Sequence, residues 1–204
     1  MRYDWETIKA FVCSKQSSKR YKHTLGVANE ALSLGRIFLP QKLEKLYLAS
    51  LLHDVTKDFE KEKQLDMCRE FNIILKENTA PKLLHSKTGA AYSRSYFGDE
   101  MIDDEVYNGI LYHTTGKAEM SLFEIIIYLA DYIEEGRTFE DCVYLRNFFY
   151  DNLKNMSTFN EKLEVLRQTM ILSFDLTIKN LISENKSIDF DTVTARNYFL
   201  KTKF

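Results

Sequence analysis

The chain of 204 residues carries four histidines, His23, His53, His85 and His113, about what chance supplies at this length, so their settings matter more than their number. They stand in Tyr21-Lys22-His23-Thr24-Leu25-Gly26, Leu51-Leu52-His53-Asp54, Leu83-Leu84-His85 and Leu111-Tyr112-His113-Thr114. Each is expected to open or close a helix. Two aspartates join them. Asp54 follows His53 behind Leu48, Leu51 and Leu52, and Asp131 follows Ile125-Ile126-Ile127-Tyr128-Leu129-Ala130. A carboxylate against an apolar helical face costs several kcal/mol to desolvate unless it is paired or bound to a cation. For Asp54 the plainer alternative is a helix cap beside a solvated His53; for Asp131 it is an ion pair with Arg137 or a backbone cap. His23, His85 and His113, each taken singly, read as satisfied core or surface histidines. As an ordered set on separate helices, imidazoles and carboxylates suit first-row transition ions such as iron, manganese, cobalt, nickel or zinc. Six such groups exceed what one tetrahedral zinc needs. They suit two ions about 3.5–4 Å apart, bridged by a carboxylate and a hydroxide.

Helices must deliver these groups. Consecutive side chains on a helix point about 100° apart, so His53 and Asp54 reach one ion only from a helix end or edge. Val55-Thr56-Lys57-Asp58 is consistent with a helix ending there. Two prolines and seven glycines leave few breakers, and apolar residues recur at spacings of three and four. The pattern predicts helices from Ser17-Ser18 to about Phe38, from about Gln41 into His53-Asp54, and over about Lys61–Phe71, His85–Phe97, Asp103–His113 and Ser121–Ile133. Ser121 and Glu124 form a capping-box pattern. The stretch before Leu84, with Asn78, Thr79 and Pro81, reads as a loop. From about Glu140 the helical spacing continues without a histidine. The reading is all-α, a compact multi-helix bundle forming one domain over 1–204. A site-bearing core lies at about 18–138, and C-terminal helices at about 140–204 pack on it.

Composition narrows the partners. Net charge is −2, with 45% hydrophobic and 28% charged residues, so the broad basic surface that a nucleic-acid polymer needs is not expected. A local basic pocket for a phosphate ligand is compatible with that balance. Cys13, Cys68 and Cys142 form no C-x-x-C pair and read as buried or half-buried thiols in a reducing cytosol. The N-terminal stretch Met1-Arg2-Tyr3-Asp4-Trp5-Glu6 lacks an apolar signal core. The apolar run at Leu122–Ile133, interrupted by Glu124 and Asp131, is too short and too charged to span a bilayer. The expectation is a cytoplasmic protein with no membrane partner; a homodimer is left open.

The order His23, His53-Asp54, Asp131 resembles the HD superfamily of metal-dependent phosphohydrolases. The longer strings are closer to its bacterial YqeK-type branch, the symmetrical diadenosine tetraphosphate hydrolases. They are Arg20-Tyr21-Lys22-His23-Thr24-Leu25-Gly26-Val27; Leu51-Leu52-His53-Asp54-Val55-Thr56-Lys57; Leu84-His85 with Gly89-Ala90; Tyr112-His113-Thr114-Thr115-Gly116 with Met120-Ser121; and Ala130-Asp131-Tyr132-Ile133-Glu134 with Arg137. The resemblance covers roughly Arg20 to Arg137. Glu135 stands where that pattern has proline, and Ser86-Lys87-Thr88 replaces a small or proline-containing run.

The resemblance implies an HD-domain fold and two divalent ions, iron first among them. His23, His53, Asp54 and Asp131 would hold one ion and Asp54, His85 and His113 the other, with Asp54 bridging. The implied reaction splits a dinucleoside tetraphosphate into two nucleoside diphosphates by a metal-bridging hydroxide. Lys57, at i+4 from His53, and Arg137 are expected to hold phosphate and to share catalysis with Asp54. Arg20 and Thr114 complete the expected substrate contacts, with Thr24 and Thr115 as hydrogen-bond partners of ligands or as caps, and Lys87 and Lys117 as weaker phosphate candidates. Alternatives are an HD-type hydrolase of another nucleotide, a nucleotidase or guanosine-tetraphosphate hydrolase, and a non-catalytic nucleotide-binding regulatory module.

Overall fold

The computed structural model describes residues 3–76 and 79–202. Met1, Arg2 and Asn78, used in the sequence reading, lie outside the described residues. Within them the chain is all-α. The helices are α1 (Trp5–Lys15), α2 (Ser18–Phe38), α3 (Leu43–Leu52), α4 (Lys61–Glu70), α5 (Leu84–Phe97), α6 (Asp104–Leu111), α7 (Leu122–Ile133), α8 (Glu140–Leu153), α9 (Phe159–Ser183) and α10 (Phe190–Lys201). Short 3-10 turns at Pro40–Lys42 and Pro81–Leu83 lead into α3 and α5.

Local chemistry sets these limits. Ser17 caps α2, its Oγ accepting from the Arg20 amide. α7 opens on the expected capping box, in which Glu124 accepts from the Ser121 amide at 2.6 Å and Ser121 from the Glu124 amide at 3.3 Å. A second box, Thr158 with Glu161, starts the 25-residue α9. Gly116, between α6 and α7, has φ +62°, and a Cβ there would come within 2.8 Å of the Phe174 ring. Backbone conformation and packing therefore both call for glycine.

α7 is the central rod. Phe123, Ile125, Ile126, Ile127, Leu129, Ala130 and Ile133 are buried, so the helix is apolar around most of its circumference, as a core helix must be. Each fully buried Leu, Ile or Phe contributes about 1.5–3 kcal/mol relative to exposure. α2 lies against α3 and α7, α5 pairs with α6, and α9 packs on α7, α8 and α10. One apolar cluster runs from Ile8 to Phe199, with Phe174 joining Tyr128 on α7 to Phe199 on α10. No helix among the described residues is long and apolar enough to cross a membrane.

Three expectations change. His23 sits inside α2 rather than at a helix end. α3 stops at Leu52, and the bonds from Val55 N to Leu52 O, Lys57 N to Asp54 O and Phe59 N to Thr56 O span three residues. Lys57 is therefore carried by tight turns, not by an i+4 helical position. Cys68 and Cys142 are buried as expected, but Cys13 is exposed.

Candidate metal centre

The tight turns after α3 bring consecutive residues, His53 and Asp54, into one buried space. The segment is tied down on two sides. Gln16 Nε2 donates to Asp54 O at 3.0 Å, and Thr56 Oγ1 donates to His85 O at 3.0 Å, fixing the turn to the first residues of α5. His113 arrives from the turn after α6, and Asp131 from the last turn of α7.

These side chains meet. Asp54 Oδ1 lies 3.2 Å from His85 Nε2 and 3.6 Å from His113 Nε2. Asp54 Oδ2 lies 3.5 Å from His53 Nε2 and 3.9 Å from His23 Nε2. Asp131 Oδ1 lies 2.9 Å from His23 Nε2 and 3.8 Å from His53 Nε2. His23, His53 and Asp131 form one potential ligand group, and His53, Asp54 and His113 another. Asp54 faces all four imidazoles with its two oxygens.

Each Nδ1 is already engaged: His53 with Ser50 O at 2.6 Å, His85 with Lys82 O at 2.7 Å, His113 with Ile110 O at 2.6 Å and His23 with Glu134 Oε1 at 3.0 Å. Acceptors at Nδ1 orient the rings and turn Nε2 toward the centre, as second partners of metal-binding histidines do. Burial lowers the pKa of His53, and pushes that of His85 down to about 4, so both are neutral near pH 7. Their Nε2 atoms face the Asp54 oxygens, and His85 Nε2 and His113 Nε2 lie 3.2 Å apart. His53 and Asp54 are 0% and 2% exposed, and His53 Nε2 and Asp54 Oδ1 are buried without a hydrogen-bond partner. Orphaned buried donors and acceptors cost about 1–3 kcal/mol each. The donor set therefore fits divalent metal, and more of it than one tetrahedral ion would use.

Cations already border the cluster. Arg20 Nη1 donates to Asp54 Oδ2 at 2.8 Å, and Arg137 donates through Nη2 to Asp131 Oδ1 at 2.5 Å and through Nε to Asp131 O at 2.9 Å. The ion pair considered for Asp131 thus exists, alongside its approach to His23 and His53. Lys57 Nζ sits 3.1–3.2 Å from both ring nitrogens of His85, and burial lowers its pKa. Thr114 Oγ1 is 3.2 Å from His113 Nε2 and 3.4 Å from His85 Nε2. Thr24 and Thr115 stand apart: they donate to Gln16 Oε1 and Gly116 O. Lys117 is occupied by Glu124 at 3.3 Å. A cavity of about 940 Å³, lined by Arg20, His23, Asn29, Asp58, Arg137 and Phe139 among others, opens on the His23 side. Lys57 and Thr114 do not line it; they flank the His85–His113 side.

Glu134 has no role in the sequence reading, yet it is 3% exposed and holds His23 Nδ1. One signal was available: a carboxylate just past a helix C-terminus opposes the helix dipole and calls for a reason. Gly26, one turn past His23, is the other half of the device. A Cβ there would lie 2.3 Å from Glu134 Oε2. Gly26→Ala is expected to push the Glu134 carboxylate aside and weaken metal binding about 10–100-fold, the usual cost of losing such an outer partner. The melting temperature of the metal-free protein should stay close to the parent's, because a flexible carboxylate can move. Unchanged metal affinity would contradict the role given to Glu134.

A pH dependence follows. Burial lowers the His23 pKa, but the Asp131 and Glu134 carboxylates more than offset this and raise it to about 8. A cation must displace that proton, so affinity for Mn²⁺ is expected to fall as pH drops below about 8, by up to about tenfold per unit. Titrations at several pH values measure this, and a flat profile from about pH 6 to 8 contradicts it.

The HD domain family model matches residues 20–136, more than half of the chain. The chain is 33% identical over 185 residues to a symmetrical bis(5'-nucleosyl)-tetraphosphatase of Halalkalibacterium halodurans, covering 89% of each. It is 32% identical to the Staphylococcus aureus protein of the same name, covering 90% of this chain and 91% of that one. A crystal structure described as a predicted HD superfamily hydrolase involved in NAD metabolism, from Clostridium acetobutylicum, superposes with a TM-score of 0.84 at 33% identity, covering 98% and 99% of the two chains. His23, the His53-Asp54 pair and Asp131 fall within the matched segment, and the chain belongs to the HD domain family.

Proposed function

We propose that the chain is a metal-dependent symmetrical bis(5'-nucleosyl)-tetraphosphatase that converts diadenosine tetraphosphate to two ADP. The observation that carries this reading is the convergence of four imidazoles on the two oxygens of Asp54, in a chain whose relatives carry that enzyme name over about nine-tenths of their length. His23, His53, Asp54 and Asp131 would hold one divalent ion and Asp54, His85 and His113 a second, with iron as the first candidate. When bound, such ions lower the pKa of water toward about 7 and neutralise phosphoryl oxygens.

The chain's own groups do the rest. Arg20 and Arg137 present guanidinium donors on the cavity wall and exchange part of their carboxylate pairing for phosphate oxygens as the substrate enters. Lys57 brings positive charge to the His85 side, where Thr114 offers a hydroxyl. Together they bind the tetraphosphate from two sides and favour charge that builds on the leaving diphosphate. The volume of about 940 Å³ is at the upper end of the range for small-molecule sites, which suits an extended dinucleotide. Product identification tests the reading. Purified protein loaded with Fe²⁺ or Mn²⁺ is expected to yield ADP alone from diadenosine tetraphosphate. AMP with ATP, or no turnover with either ion, contradicts it.

A further inference from the structure

We infer that Arg146, on α8 and outside the residues matched by the HD model, is a positioning residue for the metal centre. Its half-buried guanidinium spends its donors on main-chain carbonyls of the segment that leaves α7: Nε on Ile133 O at 2.6 Å, and Nη2 on Glu134 O at 2.5 Å and Arg137 O at 2.8 Å. Among the described residues it has no carboxylate within 4.0 Å.

What that segment carries makes the clamp matter. α7 ends at Ile133, whose carbonyl has no helical amide to accept from, and a cation there also complements the helix dipole. A bare capping role would be met by one contact. Arg146 instead spans both ends of the turn, from Ile133 to Arg137. Between these points lies Glu134, which orients His23, and at the far end Arg137, which binds Asp131. Gly136 N donates to Glu134 Oε2 at 2.6 Å, so the turn's backbone also sets the carboxylate's direction. One turn along α8, Tyr150 donates to Glu30 on α2, the helix that bears His23 and Arg20. α8 is thereby fastened to α2 and to the turn facing it, holding the distance between His23 and Glu134 from outside the site. A planar guanidinium can serve three carbonyls in fixed directions; an ammonium cannot.

This inference rests on the reading of the site as a metal centre, and the test separates the two. Full-length parent, Arg146→Ala, Arg146→Lys and a neighbouring surface control, Asn147→Ala, are titrated with Mn²⁺, with melting temperatures recorded in the metal-free state. Arg146→Ala is expected to bind Mn²⁺ about 10–100-fold more weakly than the parent, with part of the loss restored by tens of millimolar guanidinium but not by NaCl of equal ionic strength. Arg146→Lys should recover little, and Asn147→Ala should match the parent. Parental affinity in Arg146→Ala overturns the inference, as does a loss that guanidinium leaves untouched and lysine repairs. Should Arg146→Ala fail to fold, Arg146→Lys decides: parental Mn²⁺ affinity in that variant overturns the clamp. A parent that binds no Mn²⁺ defeats the metal-centre reading itself.

Discussion

Asp54→Ala is expected to abolish turnover of diadenosine tetraphosphate, a fall of at least about 10³-fold in kcat, and to remove the metal-dependent part of the protein's thermal stability. The basis is geometric. Asp54 alone offers oxygens to all four histidines, from 3.2 Å at His85 to 3.9 Å at His23. Burial opposes its charge, but the imidazoles around it more than compensate and hold its pKa well below the usual carboxylate range. It is therefore an anion at the centre of the cluster at any working pH. Metal at 1,000 times its Kd stabilises a folded chain by about 4 kcal/mol, worth about 2–4 °C per kcal/mol in a domain of this size. The parent should show that rise on loading with Mn²⁺ and Asp54→Ala should not. The metal-free variant should fold, because the substitution removes a buried carboxylate with an orphaned oxygen rather than part of the apolar core. A variant that still gains stability with metal would mean that the remaining donors suffice and that Asp54 does not join two ions.

Arg137→Gln is expected to lower kcat/KM about 10²–10³-fold, mostly through kcat, while metal stoichiometry is retained. Arg137 faces the cavity, and the beside-lying Asp131 carboxylate raises its pKa further, so it stays charged throughout. A fixed donor aimed at developing phosphoryl charge is worth about 10²–10³ in rate. Glutamine keeps one hydrogen bond to Asp131 without the charge, which separates transition-state stabilisation from support of the ligand. Arg137→Lys should recover little, because an ammonium cannot reproduce the paired donation to Asp131 Oδ1 and Asp131 O. If Arg137→Gln changes only KM, the guanidinium binds substrate and does no more.

Much of this was legible in the residues. The spacing of apolar positions gave most helix limits to within a few residues, and the Ser121–Glu124 box marked the start of α7, because caps and amphipathic periods are local. Asp131 stood out as a carboxylate in an apolar helix. The His53-Asp54 pair foretold a helix ending, though the tight turns that carry Lys57 did not show, since bonds spanning three residues leave little trace in residue type. α2 runs from Ser18 to Phe38 as its spacing predicts, which places His23 inside the helix and not at an end. Glu134 went without a role because its partner is 111 positions away, and only the packing of α2 against α7 brings them together. Arg146 was invisible for a related reason: it acts on carbonyls, which every residue has.

Metal-free protein titrated with Mn²⁺ and followed by electron paramagnetic resonance tests the central claim most directly. The account predicts two equivalents bound per chain, with the signal of an exchange-coupled pair at saturation and loss of that coupling in His113→Ala. A single equivalent with the six-line signal of an isolated ion, unchanged in His113→Ala, would contradict it.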